Sequence, residues 1–596
     1  MKKKHFKEYM GNRKIAIHCL MAIAFFLFLI FSINFYKIMV LGQSHGVDLR
    51  KELDKKLTHT TLLKAKRGNI YDASGSPIAV DATNFSLFAV LTDQWDKGKN
   101  DYVQDISKTA AVLSKYIDMK APEIEKILSQ KNVSQVEFGN AGKNLSVETK
   151  EKIEKEALPG IKFTENLSRY YPNGIFASHL IGYTDVEKEE LDGKSVEQLV
   201  GKMGLEALYN ATLTGKPGEV TARLDGNGYV ISGSEEVTEQ PKDGNDLYLT
   251  IDKKMQTYLE SLVSQVNDKY LPSQLTAMLV NPKTGDIVAA TQRPTFNGTT
   301  KEGISTMWNN LLTDEAYEPG STMKVLALAA AINEGVFDPN EKYDSGKIQI
   351  FKDLVRDYNK VGWGRITYLE GLAHSSNVAF VHVIQKIGVE KWKQYLDLFG
   401  FGQSTKSGFI NEVSGLNSYN SYLQQLTTGF GQGISVTAFQ MVQAFTAIAN
   451  QGEMKKLRIV DHEFRPSTNT TINFSENSLG QVIKPETAKK TLEYLYQATM
   501  MKDGTAIGFN IEGEEVAAKT GTAELVNPET GRYYSYGSNY IYSVVGFAPA
   551  KDPKYILYIT LKQPQNNPYG AGGSALIKEI FNPMMKRALD YSRLTQ

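Results

Sequence analysis

The sequence is nearly free of cysteine. Its 596 residues include only Cys19, which lies in an apolar run close to the N-terminus. An intrachain disulfide is therefore excluded, and so is a metal site built on several cysteines. Apolar residues make up 41% of the chain, so it can bury cores that need no covalent cross-link. A chain of this length has room for two or three domains.

An excess of charge of one sign is also missing. Lysine and arginine together number 67 against 66 aspartates and glutamates, which gives a formal net charge of +1. This balance provides no argument for nucleic acid as a partner. The 8 histidines include no His-Glu-x-x-His motif, so we expect no metal and no other cofactor. The sequence shows neither an internal repeat nor a low-complexity tract.

One segment lacks formal charge altogether. Residues 15–36 are almost entirely apolar, and at about 22 residues they match the roughly 20 that a membrane-spanning helix needs. A cleaved signal peptide is the alternative, although the run is long for one and no small-x-small cleavage site follows it. Because basic residues precede the run, we expect a cytoplasmic tail over 1–14, one transmembrane helix over 15–36 and an extracellular remainder. These basic residues are Lys2, Lys3, Lys4, Lys7, Arg13 and Lys14.

Residues 37–245 carry short apolar runs broken by Gly, Pro, Asn and Asp. The pattern predicts an extended mixed α/β domain with no obvious chemistry. We expect a charged juxtamembrane helix over about 37–60, a strand, turn and strand over 67–75, and a helix over 105–116. The stretch 215–246, rich in Gly, Glu, Asp and Pro, is interpreted as a linker.

The sequence pattern changes at about residue 246, and the new pattern continues to residue 596. A long, mostly helical region is predicted over 317–452, between two groups of strands. The pattern predicts an α+β fold in which one antiparallel five-stranded sheet is covered by helices on both faces. The predicted strands and the closing helix are 274–280, 286–291, 516–524, 540–548, 555–561 and 575–589.

A serine and a lysine three residues apart, Ser321 and Lys324, stand at the start of an apolar helical run. A serine at a helix N-terminus lies in the positive end of the helix dipole, which favours a developing alkoxide. The lysine falls on the same face one turn along, where desolvation would leave it neutral enough to take the serine proton. Taken alone, a capping serine with a solvated lysine is the better interpretation.

Two further motifs could contribute to the same site. In Ser375-Ser376-Asn377, between two predicted helices, Ser375 could relay a proton and Asn377 could hold a substrate amide; helix capping is the alternative. In Lys519-Thr520-Gly521-Thr522, on a predicted strand, the lysine and the hydroxyls suit a carboxylate, and Gly521 permits a close approach.

The tripeptide Lys-Thr-Gly occurs twice, so by itself it is not diagnostic. The earlier copy, Lys283-Thr284-Gly285, follows Asn-Pro and fits a surface hairpin turn. We interpret this copy as structural and the copy that begins at Lys519 as functional.

The three motifs occur in the order and on the elements known from penicillin-binding proteins and class A β-lactamases. From about Arg67 to the C-terminus, the chain resembles class B penicillin-binding proteins, and most of all the division-type transpeptidases of Gram-positive cocci and lactic acid bacteria. The similar stretches are 67–72, 171–174, 177–180, 204–206, 213–215, 291–296, 317–324, 373–377 and 430–437.

The resemblance implies a serine D,D-transpeptidase that cross-links peptidoglycan stem peptides and is acylated by β-lactam antibiotics. It implies a non-catalytic pedestal over 37–245, in which Arg67 and Glu206 are structural, and a transpeptidase domain over 246–596. The implied partners are a membrane glycosyltransferase of the SEDS type and other division proteins. The implied catalytic residues are Ser321, Lys324, Ser375, Asn377 and Lys519, and the implied substrate-binding residues are Thr520, Gly521 and Thr522.

The resemblance implies that Ser321 would attack the penultimate D-Ala carbonyl and release the terminal D-Ala. Lys324 would be the general base, Ser375 would move a proton, and Asn377 would position the acyl chain. Lys519, Thr520 and Thr522 would hold the carboxylate, and the N–H groups of Ser321 and Thr522 would form the oxyanion hole.

The chain departs from its division-type relatives in one respect, because we see none of their small C-terminal repeat modules before Gln596. We also expect no glycosyltransferase domain, since pedestal motifs fill the stretch before Ser321. An elongation-type transpeptidase and a non-catalytic division scaffold remain alternatives. A β-lactamase is disfavoured by the pedestal and by the retained anchor.

Overall fold

The computed structural model describes residues 2–44, 46–92, 101–191, 194–527, 529–530, 533–534, 539–568 and 572–594. Met1 of the expected cytoplasmic tail and residues 93–100 of the expected pedestal lie outside this part of the chain. The residues form two compact units. The first comprises Met1–Ala65 and Lys216–Lys242, and the second comprises Lys66–Gly215 and Asp243–Gln596.

The first unit begins with a helix over Lys2–Met39. Its portion Arg13–Met39 is long and apolar enough to cross a membrane. The most apolar 18 residues of this portion have a mean hydropathy of 2.6, and none of them is buried. The apolar segment expected at 15–36 is therefore one helix that continues beyond both of its expected ends.

The rest of the first unit differs from two expectations. Residues 37–60 do not form one helix, because Asp48 caps a separate helix and accepts hydrogen bonds from the N–H groups of Arg50 and Lys51. Residues 215–246 are not a linker, because they contain two strands of an antiparallel sheet. Gly218–Arg223 pairs with Thr58–Leu63 on one side and with Glu236–Glu239 on the other. The elements are strands Gln43–Ser44, Val47–Asp48, Thr58–Leu63, Gly218–Arg223 and Glu236–Glu239, and helix Leu49–Lys56.

The second unit begins with a mixed sheet that draws strands from distant parts of the sequence. The expected strand and turn after Arg67 are present, since Ile70–Tyr71 pairs with Pro77–Val90 across a turn that the Asp72 carboxylate closes. The remaining strands of this sheet are Gln135–Glu137, Ile161–Tyr170, Asp246–Leu249, Val460–Arg465 and Thr470–Asn473.

Short helices and a separate hairpin complete this part of the unit. The expected helix over 105–116 is present as Ile106–Leu113, and it is capped by the Asp105 carboxylate. The others are helices Ala121–Leu128, Val147–Lys155, Ser178–Ile181, Gly204–Leu208 and Asn210–Leu213, and the paired strands Thr184–Leu191 and Lys194–Gly201.

A buried ion network ties these elements together. The Glu206 side chain has no solvent exposure, and its carboxylate accepts hydrogen bonds from Arg67 Nε at 2.8 Å and from Arg169 Nε at 2.7 Å. Asp81 accepts from Arg169 Nη1 at 3.4 Å and from the backbone N–H of Arg67 at 2.8 Å. Arg67 and Glu206 therefore hold separate segments of the chain in place, as expected of structural residues.

The C-terminal part of the unit is built on the expected five-stranded antiparallel sheet. Its strands, numbered in chain order, are β1 (Pro272–Val280), β2 (Ile287–Arg293), β3 (Ala517–Glu524), β4 (Tyr540–Ala548) and β5 (Tyr555–Pro564). Their order across the sheet is β2-β1-β5-β4-β3, so the strand that carries Lys519 is an edge strand.

Helices cover both faces of this sheet, as predicted. One face packs against Lys253–Tyr270 and Ser574–Leu594, which share a buried core with alternate strand residues. On the other face the apolar helices Lys324–Asn333 and Ala438–Ala449 lie in the larger core, since nearly all their residues are buried. The side chains that alternate along each strand therefore enter two different cores.

Residues 317–452, between β2 and β3, are less helical than expected. Short paired strands interrupt this stretch, because charged and turn-forming residues separate its apolar runs. Its α-helices are Lys324–Asn333, Tyr368–Ala373, Asn377–Ile387, Val389–Leu398, Tyr422–Thr427 and Ala438–Ala449. Its strand pairs are Lys342–Asp344 with Arg365–Thr367 and Lys347–Ile350 with Asp353–Arg356. After this stretch, Glu453–Lys455 pairs with Ser478–Gln481, and helix Pro485–Met500 precedes β3.

The network around Glu206 predicts a large loss of stability when its charge is removed. Glu206→Gln leaves two buried guanidinium groups without their shared carboxylate, so we expect the free energy of unfolding to fall by about 3 kcal/mol. Chemical denaturation of the detergent-solubilised chain measures the change. Glu148→Gln is the control, because Glu148 forms an exposed pair with Lys152, and there we expect no measurable change. Equal stability of the two variants would contradict this role for the network.

Candidate active site

Ser321 lies in a tight turn rather than in the first turn of an α-helix. The turn is a 3-10 helix over Gly320–Met323, and the α-helix begins only at Lys324. Gly320 has a positive φ of 57°, and a Cβ atom there would lie 2.9 Å from the backbone oxygen of Thr522. A residue with a side chain would therefore push the turn away from β3, so glycine keeps Ser321 beside Thr522.

Lys324 is fully buried, which contradicts the interpretation of a capping serine with a solvated lysine. Its Nζ donates to the backbone oxygen of Ser375 at 2.6 Å and to Asn377 Oδ1 at 2.8 Å. Ser375 Oγ lies farther away, at 3.4 Å. The rings of Phe380 and Phe430 flank the amine at 5.5 and 5.8 Å.

The second motif presents two side chains to this lysine and uses the third as a cap. Ser375 has a positive φ of 58°, a conformation that is costly for a residue other than glycine. Ser376 caps helix Asn377–Ile387 by accepting from the N–H of Ala379 at 3.0 Å. The capping alternative thus applies to Ser376, whereas Ser375 and Asn377 both meet Lys324.

Lys519 reaches the same point from β3. It is almost fully buried, and its Nζ donates to Ser375 Oγ at 2.7 Å and to the backbone oxygen of Thr520 at 2.8 Å. A Cβ atom at Gly521 would lie 2.2 Å from Ser543 Oγ and 3.2 Å from the backbone oxygen of Pro319. Gly521 therefore allows β3 to lie directly against the turn that carries Ser321.

The two threonines of this motif differ in their surroundings. Thr520 is buried, and its hydroxyl donates to Thr505 Oγ1 at 3.0 Å, whereas the side chain of Thr522 is exposed. Thr505 in turn donates its backbone N–H to Ala373 at 2.9 Å. Thr505 thus links the third motif to the residues that precede the second, and no motif in the sequence indicates it.

The second Lys-Thr-Gly tripeptide lies away from these residues. Lys283 is half exposed on the turn between β1 and β2, where its Nζ lies 2.7 Å from the Asp552 carboxylate. Its position agrees with the structural interpretation.

Burial shifts the ionisation of both lysines in the same direction. It lowers the pKa of Lys519 to about 7. Burial, reinforced by the nearby Lys519 charge, lowers the pKa of Lys324 well below its ordinary value, and the Asp357 carboxylate opposes this shift. Two amines that meet at one hydroxyl thus disfavour being charged together.

Other residues that sequence reasoning missed pack against the turn that carries Ser321. Glu318 accepts from the N–H of Gly433 at 2.8 Å and from the Tyr533 hydroxyl at 3.0 Å. A Cβ atom at Gly431 would lie 2.2 Å from the backbone oxygen of Gly320. The segment 430–437 stood out only as a stretch of resemblance, and its contact with the Ser321 turn is visible only in the fold.

The arrangement combines a serine, a buried amine three residues after it in sequence, a hydroxyl between two amines and an edge strand beside the serine. Such a set can form a covalent acyl intermediate on the serine. The edge strand can pair with an extended peptide.

Comparisons with known proteins agree with this geometry. Residues 275–586 match the family of the penicillin binding protein transpeptidase domain, and residues 62–249 match the penicillin-binding protein dimerisation domain. Stage V sporulation protein D of Bacillus subtilis is 32% identical over 84% of this chain and 74% of its own length. Peptidoglycan D,D-transpeptidase FtsI of Escherichia coli is 27% identical over 90% of this chain and 85% of its own length.

A solved structure is similar over the same range. The crystal structure of penicillin binding protein 2X from Streptococcus thermophilus has 32% sequence identity and a TM-score of 0.72, and the match covers 89% of this chain and 80% of that chain. The family model alone spans more than half of the present chain. With its dimerisation and transpeptidase domains, the chain therefore belongs to the class B penicillin-binding proteins.

Proposed function

We propose that the protein is a peptidoglycan D,D-transpeptidase that forms its acyl-enzyme on Ser321. The observation that carries the proposal is the environment of Lys324. A neutral amine has two N–H groups, and here the short contacts to the Ser375 carbonyl and to Asn377 Oδ1 use both. Its lone pair is then left to accept the proton of Ser321, which is the role of a general base.

Acylation follows from this arrangement. Ser321 Oγ bonds to the carbonyl carbon of the penultimate D-Ala, and the bond to the terminal D-Ala nitrogen breaks. The proton that Lys324 takes from Ser321 passes through the Ser375 hydroxyl to the leaving amine. Backbone N–H groups of Ser321 and Thr522 stabilise the oxyanion, since the Gly320 contact holds these two segments together.

The positive charge of protonated Lys519 has a role that differs from that of neutral Lys324. The protonated amine, with the hydroxyls of Thr520 and Thr522, attracts the terminal carboxylate of the donor peptide. The productive state therefore carries one proton on the pair of lysines, with Lys519 charged and Lys324 neutral. An amine from a neighbouring stem peptide then attacks the acyl-enzyme, and a β-lactam instead leaves a stable acyl group on Ser321.

The N-terminal apolar helix supports a membrane setting for the reaction. We propose a single-pass anchor with residues 1–14 in the cytoplasm, a pedestal over 37–245 and an extracellular transpeptidase domain over 246–596. On the resemblance to division-type transpeptidases, we further propose septal wall synthesis beside a membrane glycosyltransferase of the SEDS type and other division proteins.

Labelling with a fluorescent penicillin tests the nucleophile. We expect the full-length protein in membranes to acquire a stable label and Ser321→Ala to acquire none, because the acyl group has no other site. Ser305→Ala is the control, because Ser305 is an exposed serine outside the three motifs, and we expect full labelling. An equally labelled Ser321→Ala variant would rule out the proposal, and rapid loss of the label would favour a β-lactamase.

The two Lys-Thr-Gly copies provide a matched pair of variants. Lys519→Ala removes the cation proposed to bind the carboxylate, so we expect the second-order rate constant of acylation to fall about a hundredfold or more. Lys283→Ala removes only a half-exposed ion pair with Asp552, and we expect an unchanged rate. Stopped-flow acylation measures both variants. Similar rates for the two would show that Lys519 does not bind the substrate.

Localisation distinguishes septal from elongation synthesis. A fluorescent fusion expressed at native level should form a band at mid-cell during division. A uniform signal along the lateral wall throughout the cell cycle would instead support an elongation-type enzyme.

A further inference from the structure

The hairpin before the second motif ends in a pair of residues that contact that motif from one side. Its strands are Lys347–Ile350 and Asp353–Arg356. The backbone oxygen of Arg356 accepts from Asn377 Nδ2 at 3.2 Å. This contact fixes which end of the Asn377 amide is the donor, so that Oδ1 faces Lys324.

The next residue, Asp357, is a buried carboxylate with an exposed fraction of 1%. Its Oδ1 accepts from the Ser376 hydroxyl at 2.9 Å and from the Val378 N–H at 3.0 Å. Its Oδ2 accepts from the Gly346 N–H at 2.8 Å. These donors are all neutral, so in the part of the chain described here the carboxylate gains its hydrogen bonds without a directly paired cation.

The contacts of Asp357 lie next to both catalytic candidates of the second motif, Ser375 and Asn377. Ser376 lies between Ser375 and Asn377 in sequence. Asp357 accepts from the Ser376 hydroxyl and from the backbone N–H of Val378, the residue after Asn377. Ser375 is held in its positive-φ conformation at the same place. A carboxylate that fixes Ser376 and Val378 therefore fixes the two groups that touch Lys324.

We propose that Asp357 is a positioning residue of the transpeptidase site. It holds Ser375 and Asn377 against Lys324, and it supplies the buried negative charge that balances the single proton on the two lysines. The assignment rests on the proposed function. It adds to that function a carboxylate, Asp357, whose charge influences whether Lys324 is protonated.

The charged and titratable groups around Lys324 and Asp357 come from several elements. Lys519 on β3 lowers the pKa of Lys324, and Asp357 raises it. Burial raises the pKa values of Tyr343 and Tyr358, and the charge of Asp357 raises them further. Both tyrosines therefore stay neutral near pH 7, and Asp357 is the anion among these groups that acts on Lys324.

The sign of the expected effect follows from these contacts. Acylation requires neutral Lys324, so its rate rises with pH as this lysine loses its proton. Asp357→Asn removes the charge that favours the protonated amine, and the pKa of Lys324 then falls further. The rising limb of the pH profile should therefore move to lower pH, by about one pH unit.

The experiment measures the acylation rate constant of a fluorescent penicillin across pH on the full-length protein in membranes. For Asp357→Asn we expect the shifted limb and a plateau about tenfold lower, because one amide N–H now faces a backbone donor. The rate constant is determined per labelled site, so a partly unfolded preparation does not alter it.

Matched variants distinguish the effect of the Asp357 charge from the effect of its hydrogen bonds on the position of the second motif. Ser376→Ala removes the hydroxyl that binds Asp357 but keeps the carboxylate, so we expect a lower plateau with an unshifted limb. Glu370→Gln removes a carboxylate that caps the neighbouring helix Tyr368–Ala373, and we expect the wild-type limb. The proposal would be overturned if the rising limb of the pH profile stayed in place in Asp357→Asn. It would also be overturned if the limb moved by the same amount in Ser376→Ala.

A second acidic variant covers the case in which Asp357→Asn yields no folded protein. Asp357→Glu keeps the charge and displaces the carboxylate by one methylene, so the limb should stay in place while the plateau falls. A limb that moves in this variant overturns the assignment. These outcomes are distinct from failure of the proposed function, which is the persistence of label in Ser321→Ala.

Discussion

The burial of Lys324 is the constraint on which the rest of the site depends. An ammonium group with no exposed surface is costly unless its charge is balanced, and a second buried amine, Lys519, meets it at the Ser375 hydroxyl. Burial therefore lowers the pKa of Lys324 well below its ordinary value. In the proposed mechanism the neutral amine that results is the base for Ser321, so the burial that shapes this part of the core also serves the proposed chemistry.

Close backbone packing brings the three motifs to that lysine. A Cβ atom at Gly320 would collide with β3, and a Cβ atom at Gly521 would collide with Ser543 on β4 and lie tightly against Pro319, just before the Ser321 turn. Asp357 and Arg356 fix the second motif from the opposite side. Each motif is therefore positioned by contacts that a neighbouring element makes, and none of the three would be in place by itself.

Sequence patterns predicted the five strands of the catalytic sheet and the residues that meet at Lys324, because alternation and motif order are local signals. They did not predict that 218–223 and 236–239 are strands, since 218–223 pairs with the distant Thr58–Leu63 and 236–239 is held only by pairing with 218–223. They also missed Asp357 and Thr505, whose roles arise from hydrogen bonds to residues distant in sequence. Composition misled at 215–246, where glycine and charge suggested a linker.

The most direct test of the account is the protonation state of Lys324 itself. Nuclear magnetic resonance of lysine labelled at Cε and Nζ, assigned with Lys324→Arg, follows that amine through a pH titration. The account predicts that Lys324 is neutral at pH values where exposed lysines are still charged. A Lys324 resonance that titrates together with the exposed lysines would contradict it.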